Sequence, residues 1–232
     1  AGLGRACVLA AGPAWSVREL RAAVEAATGV PAREQRLLAG EAEPRSSVRL
    51  GELALPGGAA LDLRCLRRPP EQAEWLEAVA EDSDGDFLAE APRNICADRE
   101  VVLAAVARNG RALEYASEAL QADREVVLAA LEEDSLALRY AAGELWADRE
   151  FVLAAVERNP LSLRHAVQEL RADREVVRCA VQRNGLALQH AAEHLRADRS
   201  IVLAAVEDDA DALRFADPEL QRDMEVRPAG VN

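Results

Sequence analysis

Three histidines and five evenly spaced arginines are the residues of this chain best placed to do chemistry. His165 and His190 occupy equivalent places in a repeating pattern, and His194 follows His190 by one helical turn, a spacing at which two imidazoles can share a cation. No third ligand of metal type stands at a useful distance. The column holding the first two reads Tyr115, Tyr140, His165, His190, Phe215, which is an aromatic packing position. The run Asp82-Ser83-Asp84-Gly85-Asp86 alternates carboxylates as a calcium loop does, but the frame fails. Counted from Asp82, Phe87 stands where the loop needs Gly and Arg93 where it needs Glu, so the run reads as an acidic solvated linker. Cys179 could meet His165 or His190 as nucleophile and base. Its column is otherwise Ala104, Ala129, Ala154 and Ala204, so a small packed thiol is the better reading. Phosphate-loop, nucleophile-elbow and zinc-helix motifs are absent from the sequence. The expectation is a chain with no catalytic residue, no metal site and no cofactor.

Arg99, Arg124, Arg149, Arg174 and Arg199 recur once per unit at the first position of a helix. Positive charge there opposes the helix dipole by about 0.3–1 kcal/mol at low salt, so the recurrence needs a reason. Two are open: each arginine pairs with an acid of the adjacent unit, or the five form a ladder that grips carboxylates or phosphates of a partner. Leu136, Leu161 and Leu186 make a second column, either inter-unit packing or an exposed strip that marks a partner groove. Trp146, in a column otherwise Gln or Arg, poses the same question.

The elements that must position these residues follow from the period. A segment Ala-Asp-Arg-Glu/Ser followed by two bulky apolar residues starts at Ala97, Ala122, Ala147, Ala172 and Ala197, with a worn copy at Asp223-Met224-Glu225-Val226. A fixed period of this length means one supersecondary element per unit, stacked on its neighbours to make a core. The apolar spacings at Val101, Val102, Leu103, Ala105, Val106 and at Ala112, Leu113, Ala116, Ala119, Leu120 predict two helices of about ten residues per unit. Asp98 and its equivalents are N-caps for the first helix, and Asn109, Asp134, Asn159, Asn184 and Asp209 for the second; Pro160 suits the first helical position. The invariant columns Ala105/Ala130/Ala155/Ala180/Ala205 and Ala116/Ala141/Ala166/Ala191/Ala216 imply close approach of neighbouring helices.

Composition agrees with an all-helical array. Hydrophobic residues make up 50% of the 232 but aromatics only 3%, so Ala, Leu and Val build the core. The net charge of −13 argues against a nucleic-acid partner and against an anionic membrane surface. All basic residues are Arg, so no lysine side chain offers an amine for ubiquitin attachment. The four cysteines are far apart without a C-x-x-C pair, which predicts free thiols in a reducing, cytoplasmic compartment. No apolar run reaches membrane-spanning length, and no signal-peptide pattern is seen.

Before the array, Ser16 to Val24 is an amphipathic segment with Glu19 three residues after Ser16, a capping-box spacing, and it closes at Gly29. Ala60 to Leu66 alternates as a strand does, and Cys7-Val8-Leu9 reads as an earlier one. The run from Ser16 through Gly29-Val30-Pro31 and Gln35-Arg36-Leu37-Leu38 to Gly40, closing with Leu61 to Arg68, resembles a ubiquitin-like β-grasp domain over about Arg5 to Arg68. That resemblance implies an α+β fold whose first strand is largely missing. It also implies a partner-recruiting patch to which Leu37 and Leu38 contribute, though Arg64 and Glu41 depart from the family pattern. Arg67-Arg68 runs into Pro69-Pro70 with no Gly-Gly end, so the domain is not expected to be conjugated. The array, through Val106, Asn109, Gly110, Ala112, Leu113, Tyr115, Ala116, Leu120, Asp123, Val126 and Val127, resembles an uncharacterised helical-repeat family that implies a fold and no activity.

The expected organisation is a ubiquitin-like domain over 1–68, a Pro-Pro linker over 69–73, a degenerate first repeat over 74–96, an all-α array of αα-hairpins over 97–226 and a patternless tail over 227–232. The expected role is a non-catalytic protein-interaction scaffold. The alternatives are a metal- or ligand-binding or enzymatic array using His165 and His190, and a structural spacer.

Overall fold

The computed structural model describes residues 11, 13–39, 42–53, 63–81 and 87–226, the side chains of 224–226 excepted. The strand expected at Cys7 to Leu9, the acidic run 82–86 and the tail from 227 lie outside the described residues. The chain divides into two compact units, Ala1–Glu81 and Asp82–Asn232.

The first unit is an α/β region. Helix α1 (Val17–Thr28) starts with the full capping box: the Glu19 amide donates to the Ser16 hydroxyl and the Ser16 amide to the Glu19 carboxylate. It ends at Gly29, whose φ of 73° is the left-handed cap that glycine adopts without strain. Strand β1 (Gln35–Ala39) follows, then a short helix α2 (Leu50–Leu53), strand β2 (Leu63–Arg67) and helix α3 (Pro70–Glu81). The two strands pair antiparallel, Gln35 opposite Arg67 and Leu38 opposite Arg64. Val17, Leu20 and Val24 of α1 meet Leu37 and Leu50 in a small core. Gln35, fully buried, ties α1 to β1: its side-chain amide donates to the carbonyls of Arg21 and Val30 at 2.9 and 2.8 Å. Beside it Glu43 accepts Arg21 and Arg68 and lies 3.4 Å from Arg36. The prolines expected as a linker differ in role. Pro70 opens α3, where its missing N–H costs no helical bond, and α3 belongs to the first unit.

The second unit is the array. Each repeat begins with a helix, Arg99–Val106, Arg124–Glu133, Arg149–Arg158, Arg174–Val181 and Arg199–Asp208, whose N-cap is the aspartate of the signature. One carboxylate oxygen accepts amides of the first turn, as Asp173 does from Glu175 and Val176 at 2.9 and 3.2 Å. The paired apolar residues that follow are all buried, from Val101 and Val102 to Ile201 and Val202. Burial of each is worth about 1.5–3 kcal/mol, enough to fix helices too short to persist alone.

The second half of each repeat is not the single helix that the spacing predicts. A six-residue 3-10 helix (Gly110–Tyr115 and its equivalents), capped by the Asn or Asp before it, ends at the invariant alanine, and a second short helical turn follows. At Ala116, Ala141, Ala166, Ala191 and Ala216 the backbone is extended, with ψ between 140° and 165°. The extended alanine turns the next amide toward the preceding repeat. Ser117 thus donates to the Cys96 carbonyl, Ala142 to Gln121, Val167 to Trp146, Ala192 to Arg171 and Asp217 to Arg196, all at 2.8–3.0 Å. A backbone bond within one helix is exchanged for one between repeats, so breaking the helix leaves no donor unmet.

Close approach is most acute at two glycines. A Cβ on Gly110 would lie 2.3 Å from the Ala130 carbonyl oxygen, and one on Gly185 2.1 Å from that of Ala205, each in the next repeat. Gly185→Ala is therefore expected to destabilise the protein by about 1–3 kcal/mol through overpacking. Urea denaturation checks this, with Gly143→Ala, where a Cβ meets nothing within 4 Å, as the silent control.

Candidate functional site

The arginine ladder is part of the stacking. Arg99 Nε donates to Asp123 at 2.9 Å, Arg149 Nε to Asp173 at 2.8 Å, Arg174 Nη1 to Asp198 at 2.8 Å and Arg199 Nη1 to Asp223 at 3.2 Å; Arg124 binds Asp148. For Arg99, Arg124, Arg149 and Arg174 the acceptor is the second oxygen of the very carboxylate that caps the next helix, whereas Asp223 lies within the last helix, Pro218–Val226. Arg99 and Arg149 also bind Glu125 and Glu175, and Arg174 donates to the Ser200 hydroxyl at 2.5 Å. The dipole penalty of an arginine at a helix start is offset by carboxylates one repeat on. Asp123 and Glu125 push the Arg99 guanidinium further up from its ordinary value, and Asp173 and Glu175 do the same to Arg149. Partial burial pulls the Asp123 carboxyl upward, but Arg99 and the amides of Val126 and Glu125 outweigh it and leave it below the usual Asp value. Arg149 holds Asp173 down likewise.

The other partner-binding candidates fall apart as a set. Trp146 is buried, its ring 5.3 Å from Phe151 and 5.0 Å from His165, so it belongs to the core rather than to an exposed strip. Leu37 is core as well, while Leu38, its neighbour on the opposite face of β1, is half-buried. Leu136 is 47% exposed, whereas Leu161 and Leu186 are half-buried, so the leucine column is no continuous apolar strip.

What the array does leave open is the aromatic column and the arginines beside it. Tyr115, Tyr140, His165, His190 and Phe215 are all half-exposed. Arg139 lies 5.5 Å above the Tyr140 ring and Arg214 4.6 Å above Phe215, and Arg164 Nε donates to His165 Nε2 at 2.8 Å. The Trp146 position of one repeat adjoins the aromatic of the next, so Arg171 falls near His190, and Arg196 shares a pocket of about 70 Å³ with Phe215. The Nε atoms of Arg171 and Arg196 are buried and have no hydrogen-bond acceptor among the described residues. Burial first, then Arg164 and His190, hold His165 below its ordinary value; burial, Arg164 and Arg171 do so for His190. An imidazole whose Nε2 lone pair takes an arginine N–H, amid further positive charge, is a poor ligand for a cation. No group of three or more His, Cys, Asp or Glu side chains suited to a metal occurs among the described residues. Sequence reading missed this surface because the column Glu114, Arg139, Arg164, Gln189, Arg214 varies; the signal was the recurrence of arginine next to an aromatic.

A family described as a domain of unknown function (DUF4116) matches at residues 76–121, 98–146, 123–171, 148–196 and 173–221. The chain belongs to this family. From the second match on, each DUF4116 copy covers about two of the structural repeats, the second of which opens the next copy, so consecutive copies share a repeat. No curated protein and no solved structure matches the chain. Among the described residues no helix is long and apolar enough to cross a membrane.

Two outcomes are expected. Asp173→Ala removes a cap and an inter-repeat partner together and should cost about 1–2 kcal/mol, whereas Arg149→Ala, which breaks only exposed pairs, should cost less; chemical denaturation of both variants checks the order. The second concerns pH. Histidines of the unfolded chain take up protons below about 6.5, while His165 and His190 in the folded chain stay neutral to lower pH. Stability present above that value is therefore lost as pH falls through the depressed values. Urea midpoints at about pH 7.5 and about pH 5.5 should differ less in the double variant His165→Tyr/His190→Tyr, which copies Tyr115 and Tyr140.

Proposed function

We propose that this protein is a non-catalytic interaction scaffold whose repeat array binds a protein partner. The observation that carries the reading is the asymmetry of the arginines. One set is neutralised by carboxylates of the stack, while Arg139, Arg164, Arg171, Arg196 and Arg214 form no ion pair among the described residues and flank half-exposed aromatic side chains. Aromatic and arginine side chains are the types enriched at protein interfaces. The finer reading of the first unit as a ubiquitin-like domain, acting as a second contact, rests on the capping box, Gly29 and the antiparallel β1–β2 pair in their expected order. A cytoplasmic location fits a chain whose four cysteines are widely spaced with no C-x-x-C pair.

The full chain, tagged and exposed to lysate of its source organism, is expected to retain a specific protein that untagged chain competes away. Recovery of none would count against the scaffold. Stoichiometric metal in the purified protein, lost in His165→Ala and His190→Ala, would favour the metal-binding alternative instead.

A further inference from the structure

We infer that the surface formed by Arg164, His165, Arg171 and His190, flanked by Arg139–Tyr140 and Arg196–Phe215, binds an extended, carboxylate-rich segment of a partner protein. The inference rests on the scaffold reading and names its site and the chemistry of its partner. Charge is the first argument. The chain carries a net −13, and the ladder arginines Arg99, Arg124, Arg149, Arg174 and Arg199 all face carboxylates. Here, by contrast, the charged side chains acting on the two imidazoles are arginines: Arg164 on both and Arg171 on His190. Acids stand at the margins, Glu114 beside Tyr140, and Glu193 and Asp217 lining the pocket with Arg196 and Phe215. A local excess of positive charge in an acidic protein costs electrostatic energy that a bound carboxylate relieves, and guanidinium forks take carboxylates with two parallel bonds.

Unmet hydrogen bonding is the second argument. The Arg171 and Arg196 Nε groups are withdrawn from solvent without an acceptor, and each lies beside the aromatic of the next repeat. These groups recur at the repeat spacing, and so do the aromatics. A partner chain laid along the repeats would meet alternating cations and ring faces, which fits acidic residues interspersed with apolar ones. Nucleic acid fits less well, because a phosphate on every nucleotide meets more repulsion from the acidic remainder of the chain than a peptide whose acids are interspersed with apolar residues.

The array itself supplies mild substitutions for the test. Gln189 occupies the Arg164 column, and Gln121 and Gln221 the Arg171 column, so Arg164→Gln and Arg171→Gln place residues that other repeats already accommodate. Binding is read by fluorescence anisotropy of a labelled peptide of repeating Glu-Glu-Phe against the full chain, with the Gln-Gln-Phe peptide and a single-stranded RNA as comparisons. Arg164→Gln/Arg171→Gln is expected to weaken the glutamate peptide at least about tenfold, while Arg178→Gln/Arg183→Gln, an equal charge change at exposed sites outside the surface, leaves it unchanged. Thermal unfolding of each variant guards against loss of fold. Failure of the wild-type chain to bind the glutamate peptide, equal binding by the double variant, equal binding of the glutamine peptide, or preference for the RNA would each overturn the proposal. A partner recovered by the full chain and retained undiminished by the double variant would remove this site and leave the scaffold standing.

Discussion

Everything in the array hangs on a two-sided aspartate. One oxygen of Asp123, Asp173 or Asp198 closes the first turn of its own helix, and the other takes the arginine of the preceding repeat. Capping and stacking are thereby satisfied by the same side chain. The helix cannot be properly started without also fixing the place where the neighbour docks. Apolar burial supplies most of the stabilisation, but it is non-directional; the aspartate, with one inter-repeat backbone bond behind each extended alanine, sets the register in which burial occurs.

That economy divides the arginines by role. Those at helix starts are committed to the stack, and their exposed ion pairs are individually modest. Those beside the aromatic column are held by ring contacts or by a histidine nitrogen, which leaves their charge uncompensated. Identical side chains in one protein thus serve cohesion on one column and remain available on another, and the difference lies in whether a carboxylate of the next repeat comes within reach.

Much of the fold was legible because the signals were local. The aspartate caps, the asparagine caps, the Ser16–Glu19 capping box and the stop at Gly29 each depend on residues a few positions apart. The break at Ala116 and its equivalents was not legible, because alanine is the strongest helix former and only an acceptor in the neighbouring repeat pulls its backbone straight. The same limit applied to the candidate site. A carboxylate partner for the Arg99 column could be named as one of two options, but the register between repeats that decides the matter is tertiary. Trp146 could not be assigned to core or surface because its column is otherwise polar. That position lies between successive repeats, where a ring fits as well as the stem of an arginine. Leu37 and Leu38 are adjacent on a strand and point to opposite faces, so the pair could not have acted as one patch.

The inter-repeat bonds carry one more implication. Arg99 reaches Asp123, Arg149 reaches Asp173 and Arg174 reaches Asp198, always one period ahead, and the amide bonds behind the alanines keep the same stride. Excision of a whole period rejoins every donor to an equivalent acceptor, whereas loss of any fraction of one strands them all. Unequal recombination within its gene can therefore lengthen or shorten such a protein in whole steps, and the number of aromatic–arginine positions it presents becomes a heritable, countable trait.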